Sequence, residues 1–129
     1  IGMDQPSEKN TPATQNSLSG TWELQFMLNE AEKFGEMYKN RKPTIVFDLE
    51  AQRFSGNTSC NSYNGALTVN GQEIDFTTPI MMTKMFCEGG GESAYMKHLR
   101  AKYRFAFPDA NTLVFMDGDV VVMKYGRKG

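Results

Sequence analysis

Few residues in this chain could do chemistry. The two cysteines are Cys60 and Cys87, and the one histidine is His98. Two cysteines in a small domain indicate either a disulfide or two reduced, buried side chains that act as small hydrophobes. A redox-active pair is disfavoured, because the sequence has no Cys-x-x-Cys motif that would lower a thiol pKa.

The single histidine limits the kinds of catalysis that are open to the chain. A serine or cysteine hydrolase needs a histidine as its base, and His98 is the one candidate. It lies between Lys97 and Leu99 in a stretch with helical spacing, off the face of Tyr95 and Leu99, so we expect a solvated helix histidine. No Gly-x-Ser-x-Gly turn accompanies it. No catalytic residue can be named, and we predict that the protein is not an enzyme.

Three other patterns are incomplete versions of metal or phosphate sites. Residues 81–87 contain three methionines and a cysteine, which are soft ligands of the kind that suits Cu(I), but methionine in an apolar strand more often fills a core. Residues 117–119, Asp-Gly-Asp, lack the distal glutamate of a calcium loop. The glycine run 89–91 lacks the Lys-Ser/Thr of a P-loop. We therefore predict no cofactor and no metal.

Length and charge exclude several classes of partner. The chain has 129 residues and a formal net charge of −1, with acidic and basic residues interspersed. A chain of this length forms one domain, which we expect to be monomeric. No basic stripe indicates nucleic-acid binding. The longest apolar runs, such as residues 120–123, are far too short to span a bilayer.

Alternation and turn signals predict a mainly β protein. Trp22, Leu24 and Phe26 lie on one face of a first strand, and Asn70-Gly71 and Asp117-Gly118 are hairpin signals. Eight or nine short strands follow one another without helical crossovers, so the sheet should be antiparallel and should close into a small barrel. One helix is predicted over residues 92–100, and residues 29–40 form a short helix or a loop.

The predicted core comes from the apolar faces of these elements. Tyr95, Met96 and Leu99 should face the sheet from the helix, and residues 81–86 should form an apolar strand. Seven phenylalanines fall on strand faces and are expected in the core or around a barrel cavity: Phe26, Phe47, Phe54, Phe76, Phe105, Phe107 and Phe115.

The first residues differ in composition from the rest. Residues 2–17 contain one large apolar side chain, Met3, among small, polar and charged residues. Such a stretch cannot bury enough surface to offset the entropy of ordering. We predict a flexible N-terminal leader at 1–17 and a folded domain at 18–126.

Several short motifs occur in a fixed order after this leader. They are Leu18–Trp22, Pro43–Phe47, Phe54–Asn57, Ser59–Gly65, Thr83–Cys87, Glu92–Leu99 and Leu113–Phe115. Together they resemble the META domain family, which includes HslJ-like heat-inducible proteins of the bacterial envelope. The matching residues, beside the two cysteines, are Gly20, Trp22, Gly56, Asn61, Tyr63, Gly65, Thr83 and Met85. Ser59 departs from the pattern, because the family commonly has glycine there, and this could alter the backbone beside Cys60.

The resemblance implies a fold and a compartment. The fold would be a lipocalin-like antiparallel β-barrel with one packed α-helix. The location would be extracytoplasmic, as a lipoprotein or a secreted protein, with membrane contact only through a possible N-terminal lipid anchor. Such a compartment favours a Cys60–Cys87 disulfide.

The resemblance implies no reaction, because the family has no established catalytic role. We expect a stress-associated binding module for a protein, a peptide or an apolar small ligand, held at the barrel mouth or at an exposed strand edge. The alternative is a structural accessory of an envelope assembly, without a ligand pocket.

Overall fold

The computed structural model describes residues 15–128, and residues 1–14 of the predicted leader lie outside this range. A 3₁₀ turn, Gln15–Leu18, precedes the first strand. The helices are α1 (Phe34–Met37) and α2 (Gly91–Leu99). The strands are β1 (Gly20–Met27), β2 (Thr44–Asp48), β3 (Arg53–Asn57), β4 (Ser62–Ala66), β5 (Val69–Asn70), β6 (Glu73–Asp75), β7 (Ile80–Met82), β8 (Lys102–Asp109), β9 (Thr112–Asp117) and β10 (Val120–Arg127).

The ten strands form one curled sheet that resembles half of a barrel. Its order is β5-β6-β8-β9-β10-β1-β2-β3-β4-β7, and each neighbouring pair is antiparallel. The prediction of a mainly β, antiparallel, lipocalin-like fold is confirmed. The two ends of the sheet are β5 and β7, so the described residues leave two short edges that do not pair with each other.

Two-residue turns connect β5 to β6 and β9 to β10, as predicted, but each is placed one residue later. Asn70 pairs with Glu73, so the central residues are Gly71 and Gln72. Gly71 has a φ of 64°, and Gly118 occupies the same place in the second turn with a φ of 62°. In each turn only the glycine, at the first central position, has a positive φ. A residue with a side chain would be strained in this conformation.

A bulge in β1 changes which side chains reach the core. The register with β10 shifts between Leu24 and Phe26. Trp22, Leu24 and Met27 are buried, whereas Phe26 is half-buried. The prediction that Phe26 belongs to the core was wrong, because the extra residue of a bulge reverses the alternation after it. Phe107 is also half-buried, and it packs against Trp22 with ring centroids 5.9 Å apart.

Helix α2 packs on the concave side of the sheet through the predicted face. Tyr95, Met96 and Leu99 are buried, and Lys97 is exposed. His98 is half-buried instead of solvated, so that expectation was wrong. None of the helices within residues 15–128 has the length and apolar character needed to cross a membrane.

Candidate functional site

The two cysteines meet between the β3–β4 turn and the segment that follows β7. The structure joins Cys60 to Cys87 by a disulfide, with Cα atoms 6.2 Å apart. This separation lies within the usual range for disulfides. Cys87 is exposed and Cys60 is half-buried. Neither sulfur is then a thiolate that could bind a soft metal ion.

A buried amide side chain, Asn61, fixes the segment after β7. Its Oδ1 accepts hydrogen bonds from Thr83 Oγ1 at 2.8 Å and from the Met85 N–H at 2.7 Å. Its Nδ2 donates to the Met85 carbonyl at 3.1 Å and to Glu92 Oε2 at 2.8 Å. Both polar atoms of Asn61 are thereby satisfied, as burial requires. Beyond the end of β7, the hydrogen bonds to Asn61 hold the backbone of Met85 in place of pairing with a neighbouring strand.

Thr58 and Glu92 complete this network under the disulfide. Thr58 is fully buried, and its Oγ1 donates to Glu92 Oε2 at 2.7 Å and accepts from the Asn61 N–H at 2.9 Å. Glu92 lies in the first turn of α2, where a carboxylate is also favoured by the helix dipole. One carboxylate therefore connects α2 to the loop that carries Cys60.

Ser59 adopts the backbone conformation that would favour glycine. Its φ is 85°, and a left-handed conformation at a residue with a side chain is uncommon. The Ser59 N–H donates to Asn57 Oδ1 at 2.8 Å, and its hydroxyl donates to the Arg41 carbonyl at 2.5 Å. These two bonds offset the strain, so the departure from the family pattern is accommodated beside Cys60.

The segment held in this way presents apolar side chains to solvent. Phe86 is 89% exposed, Met81 is 65% exposed and Met85 is 63% exposed. We call these three residues the apolar surface. The strand predicted over residues 81–86 is present only at Met81 and Met82, because pairing with β4 ends near Met82 and the side chain of Asn61 holds the chain beyond it.

The inner side of the sheet is occupied by aromatic side chains. A chain of hydrogen bonds runs from the Thr44 carbonyl through the hydroxyls of Tyr63, Tyr95 and Tyr125, with oxygen distances of 2.7, 2.7 and 2.8 Å. Burial raises the pKa of Tyr63, Tyr95 and Tyr125 well above the ordinary tyrosine value. These phenols stay neutral and serve packing and hydrogen bonding.

Two glycines of the motifs, Gly56 and Gly65, allow this close packing. A Cβ at Gly56 would stand 2.1 Å from the Thr44 carbonyl oxygen and 2.9 Å from Tyr63 Oη. A Cβ at Gly65 would stand 2.8 Å from Phe54 Cζ. Both positions thus exclude a side chain, because backbone or a buried ring occupies the space.

Trp22 and Gly20 anchor the first strand. The buried indole N–H of Trp22 donates to the Leu18 carbonyl at 2.8 Å, and the Arg127 guanidinium lies 4.2 Å from the ring centroid. Arg127 Nη1 donates to the Ser19 carbonyl at 3.0 Å, beside Gly20, which has a φ of 113°. These motif residues hold the N-terminal strand against β10.

His98 links α2 to the turn after β1. Its Nδ1 lies 2.8 Å from the Ala94 carbonyl oxygen, and its Nε2 lies 3.1 Å from the Leu28 carbonyl oxygen. Both ring nitrogens lie within hydrogen-bond distance of backbone carbonyl oxygens, so the half-buried imidazole faces the backbone of α2 and of the turn after β1. Within residues 15–128, no three His, Cys, Asp or Glu side chains are grouped as a metal site.

An open groove lies near the β5 end of the sheet. Its volume is about 250 Å³, and it is lined by Leu49, Gln52, Leu67, Thr68 and Val69. Small-molecule pockets usually span roughly 300–1,000 Å³ and enclose most of the ligand. This groove is smaller and open, so it is a weaker candidate for a binding site than the apolar surface.

The sequence left two parts of this site unrecognised. Thr58 lies outside the motifs and Glu92 only begins the helical one, and nothing in the sequence indicated that the two side chains meet, because they come from distant parts of the chain. The exposure of Met85 and Phe86 carried no signal in the sequence either, because it depends on where the pairing of β7 with β4 ends.

Comparisons with known proteins place the chain by family and by fold. The family model of the META domain matches residues 15–128. A protein from Burkholderia xenovorans, solved by NMR, is similar with a TM-score of 0.62 and 16% identity, over 88% of this chain and 85% of that one. A DUF4847 family protein from Bacteroides vulgatus, solved by crystallography, has a TM-score of 0.57 and 17% identity, over 86% of this chain and 94% of that one. No functionally curated protein matches. At these identities the two structures support the fold alone.

Proposed function

Because the chain belongs to the META domain family, we propose that it is a non-catalytic binding module of the bacterial envelope. In this proposal it is lipid-anchored or secreted, and it holds an extended segment of a partner protein against β7 and the apolar surface. The observation that carries the proposal is the exposure of Met81, Met85 and Phe86 on a backbone fixed from both sides.

Three features support a protein or peptide as the partner. First, β7 pairs with β4 alone, so its outer edge has no ladder partner within the described residues and can accept a further strand. Second, the described residues expose four large hydrophobic side chains, of which three belong to the apolar surface. Three exposed hydrophobic side chains within six consecutive residues indicate an interaction site more strongly than scattered ones do.

The third feature is the rigidity of the segment. The disulfide fixes Cys87 and the Asn61 amide fixes the backbone of Met85, so Phe86 is held between two anchored residues. Binding then costs little ordering entropy on this side of the interface. The aromatic ring of Phe86 is the kind of side chain that serves as a binding anchor.

The test uses extended peptides selected from a random display library against the protein. We expect amide NMR shifts in β7 and residues 83–88, and at least about tenfold weaker binding by Phe86→Ser, as for an interface hot spot. Val120→Ser is the matched control, because Val120 is 50% exposed in β10 and should not matter. Shifts at Leu67 and Val69 would point to the groove, and failure to select any peptide would overturn the proposal.

The extracytoplasmic location has its own test. Disulfides persist in oxidising compartments, so the Cys60–Cys87 bond supports a location outside the cytoplasm. Protein from its native cells should show no alkylation of either cysteine when it is denatured without reduction. Two free thiols in that material would contradict the envelope location.

A structural accessory role remains the second candidate. The aromatic filling of the inner side, with Trp22, Tyr95 and Phe115 fully buried, favours a module that offers surface and no interior pocket. In that role the apolar surface would be covered permanently by an assembly partner, without exchange of peptides. The two roles are separated by adding the selected peptides to the native complex. Displacement of the partner favours the binding role, and no displacement favours the accessory role.

A further inference from the structure

The apolar surface contains two thioethers beside its aromatic ring. Met81 and Met85 are mostly exposed, whereas Met27, Met96 and Met123 are buried in the core. An exposed methionine sulfur is open to small oxidants, and its product, the sulfoxide, is polar. We propose that Met81 and Met85 are oxidation sites, and that their conversion to sulfoxides makes the apolar surface more polar around Phe86.

The backbone keeps both side chains outside. Met81 lies in β7, opposite Asn64 of β4. The Met85 N–H and carbonyl are both bonded to the side chain of Asn61, at 2.7 and 3.1 Å. These bonds fix the backbone of both residues on the exposed side of the segment. The accessibility of the two sulfurs is thus a property of the folded state.

The chemistry needs only a peroxide as co-reactant. A lone pair of the methionine Sδ attacks one oxygen of hydrogen peroxide, an S–O bond forms and the O–O bond breaks. The proton of the transferred hydroxyl then passes to the leaving hydroxide, which departs as water. The sulfur loses two electrons and the peroxide gains them. Methionine sulfoxide reductases reverse the change, so the surface can be restored.

The functional consequence of this inference rests on the proposed binding role. A sulfoxide at Met81 or Met85 places a strong hydrogen-bond acceptor where a partner would bury an apolar side chain, and an unsatisfied polar group at an interface weakens binding. Oxidant in the envelope would then release the partner without unfolding the domain.

Peptide mapping by mass spectrometry after treatment with hydrogen peroxide tests the two sites. Met81 and Met85 should react at least about tenfold faster than Met27, Met96 and Met123, because a buried sulfur reacts only in locally opened molecules. In denaturant the five rates should converge. Equal rates in the folded protein would overturn the assignment of Met81 and Met85 as oxidation sites.

Retention on a hydrophobic-interaction column tests the change of surface. Oxidation should shorten the retention of the wild-type protein. The Met81→Gln/Met85→Gln variant should already elute early and should change little with peroxide. An unchanged wild-type retention after both sites are oxidised would overturn the switch. Neither measurement uses a partner, so a failure of the proposed binding function would be recognised separately by the peptide selection.

Discussion

At the scale of single residues, one buried amide determines the shape of the site. Asn61 satisfies both of its side-chain atoms with Thr83, Met85 and Glu92. A backbone hydrogen bond in a sheet joins two neighbouring strands. The side chain of Asn61 instead joins the β3–β4 turn to the segment after β7 and to α2. The motif residues Asn61, Thr83 and Met85 are therefore parts of one local structure, although they lie far apart in the sequence.

Asn61→Ala should destabilise the protein by about 1–3 kcal/mol, because the Met85 N–H and the Glu92 carboxylate lose a buried partner. Asn64→Ala is the matched control, since Asn64 accepts an exposed bond from Arg53 and its loss should stay within about 0.5 kcal/mol. Equilibrium unfolding in urea measures both. Equal effects of the two changes would show that the network does not stabilise the fold.

Gly56→Ala should destabilise the protein by about 1–3 kcal/mol or more, because the new methyl group would overlap the Thr44 carbonyl oxygen. Gly35→Ala is the matched control. A Cβ at Gly35 meets nothing within 4 Å, so this change should stabilise by about 0.5 kcal/mol through the unfolded state. Thermal unfolding checks the opposite signs, and a harmless Gly56→Ala would contradict the close approach of β3 to β2.

At the scale of elements, α2 shows how a helix is fixed by one face. Leu99→Ala should cost about 2–5 kcal/mol, because Leu99 is fully buried and its loss leaves a cavity. Lys97→Ala, on the exposed side, should stay within about 0.5 kcal/mol. Urea unfolding of the two variants measures the difference. A small effect at Leu99 would mean that the helix packs through another face.

Sequence patterns identified these elements where the signal was local. Alternation and turn glycines indicated the antiparallel sheet, and helical spacing indicated α2 with its buried face. The bulge in β1 was missed, since one extra residue leaves no trace in composition and moves burial from Phe26 to Met27. His98 was misplaced because its partner, the Leu28 carbonyl, comes from a distant turn.

The candidate site was less predictable than the fold. The family resemblance favoured a disulfide between Cys60 and Cys87, and the structure contains it, but the exposure of Phe86 depends on where β7 stops pairing. That stop is set by Asn61, whose side chain takes over from the backbone ladder. Hydrophobic periodicity predicts strands and helices. It carries no information about a side chain, such as that of Asn61, whose hydrogen bonds take the place of strand pairing.

At the scale of the whole molecule, the inner side of the sheet is closed by aromatic packing. All five tyrosines of the sequence have a raised pKa, and burial is the first cause in each. For Tyr103 the pKa rises to about 12. The interior phenols therefore report on the integrity of the fold as a whole.

Tyrosine ionisation should occur at a higher pH in the folded protein than in the unfolded chain. In the unfolded chain the phenols lose their protons near pH 10, whereas the native state keeps them protonated to higher pH. The native state then binds more protons than the unfolded state, so stability is fully present below about pH 10 and falls as the pH rises above it. Tyrosinate absorbance against pH, in buffer and in denaturant, measures the displacement.

The same titration followed by circular dichroism tests the cause of this shift to higher pH. Because Tyr63, Tyr95 and Tyr125 are bonded in one buried chain, their ionisation requires opening of the core. Absorbance and loss of β structure should therefore change together in a single transition. Tyrosinate forming near pH 10, with the circular dichroism unchanged, would mean that water reaches these hydroxyls and that the inner side of the sheet is open.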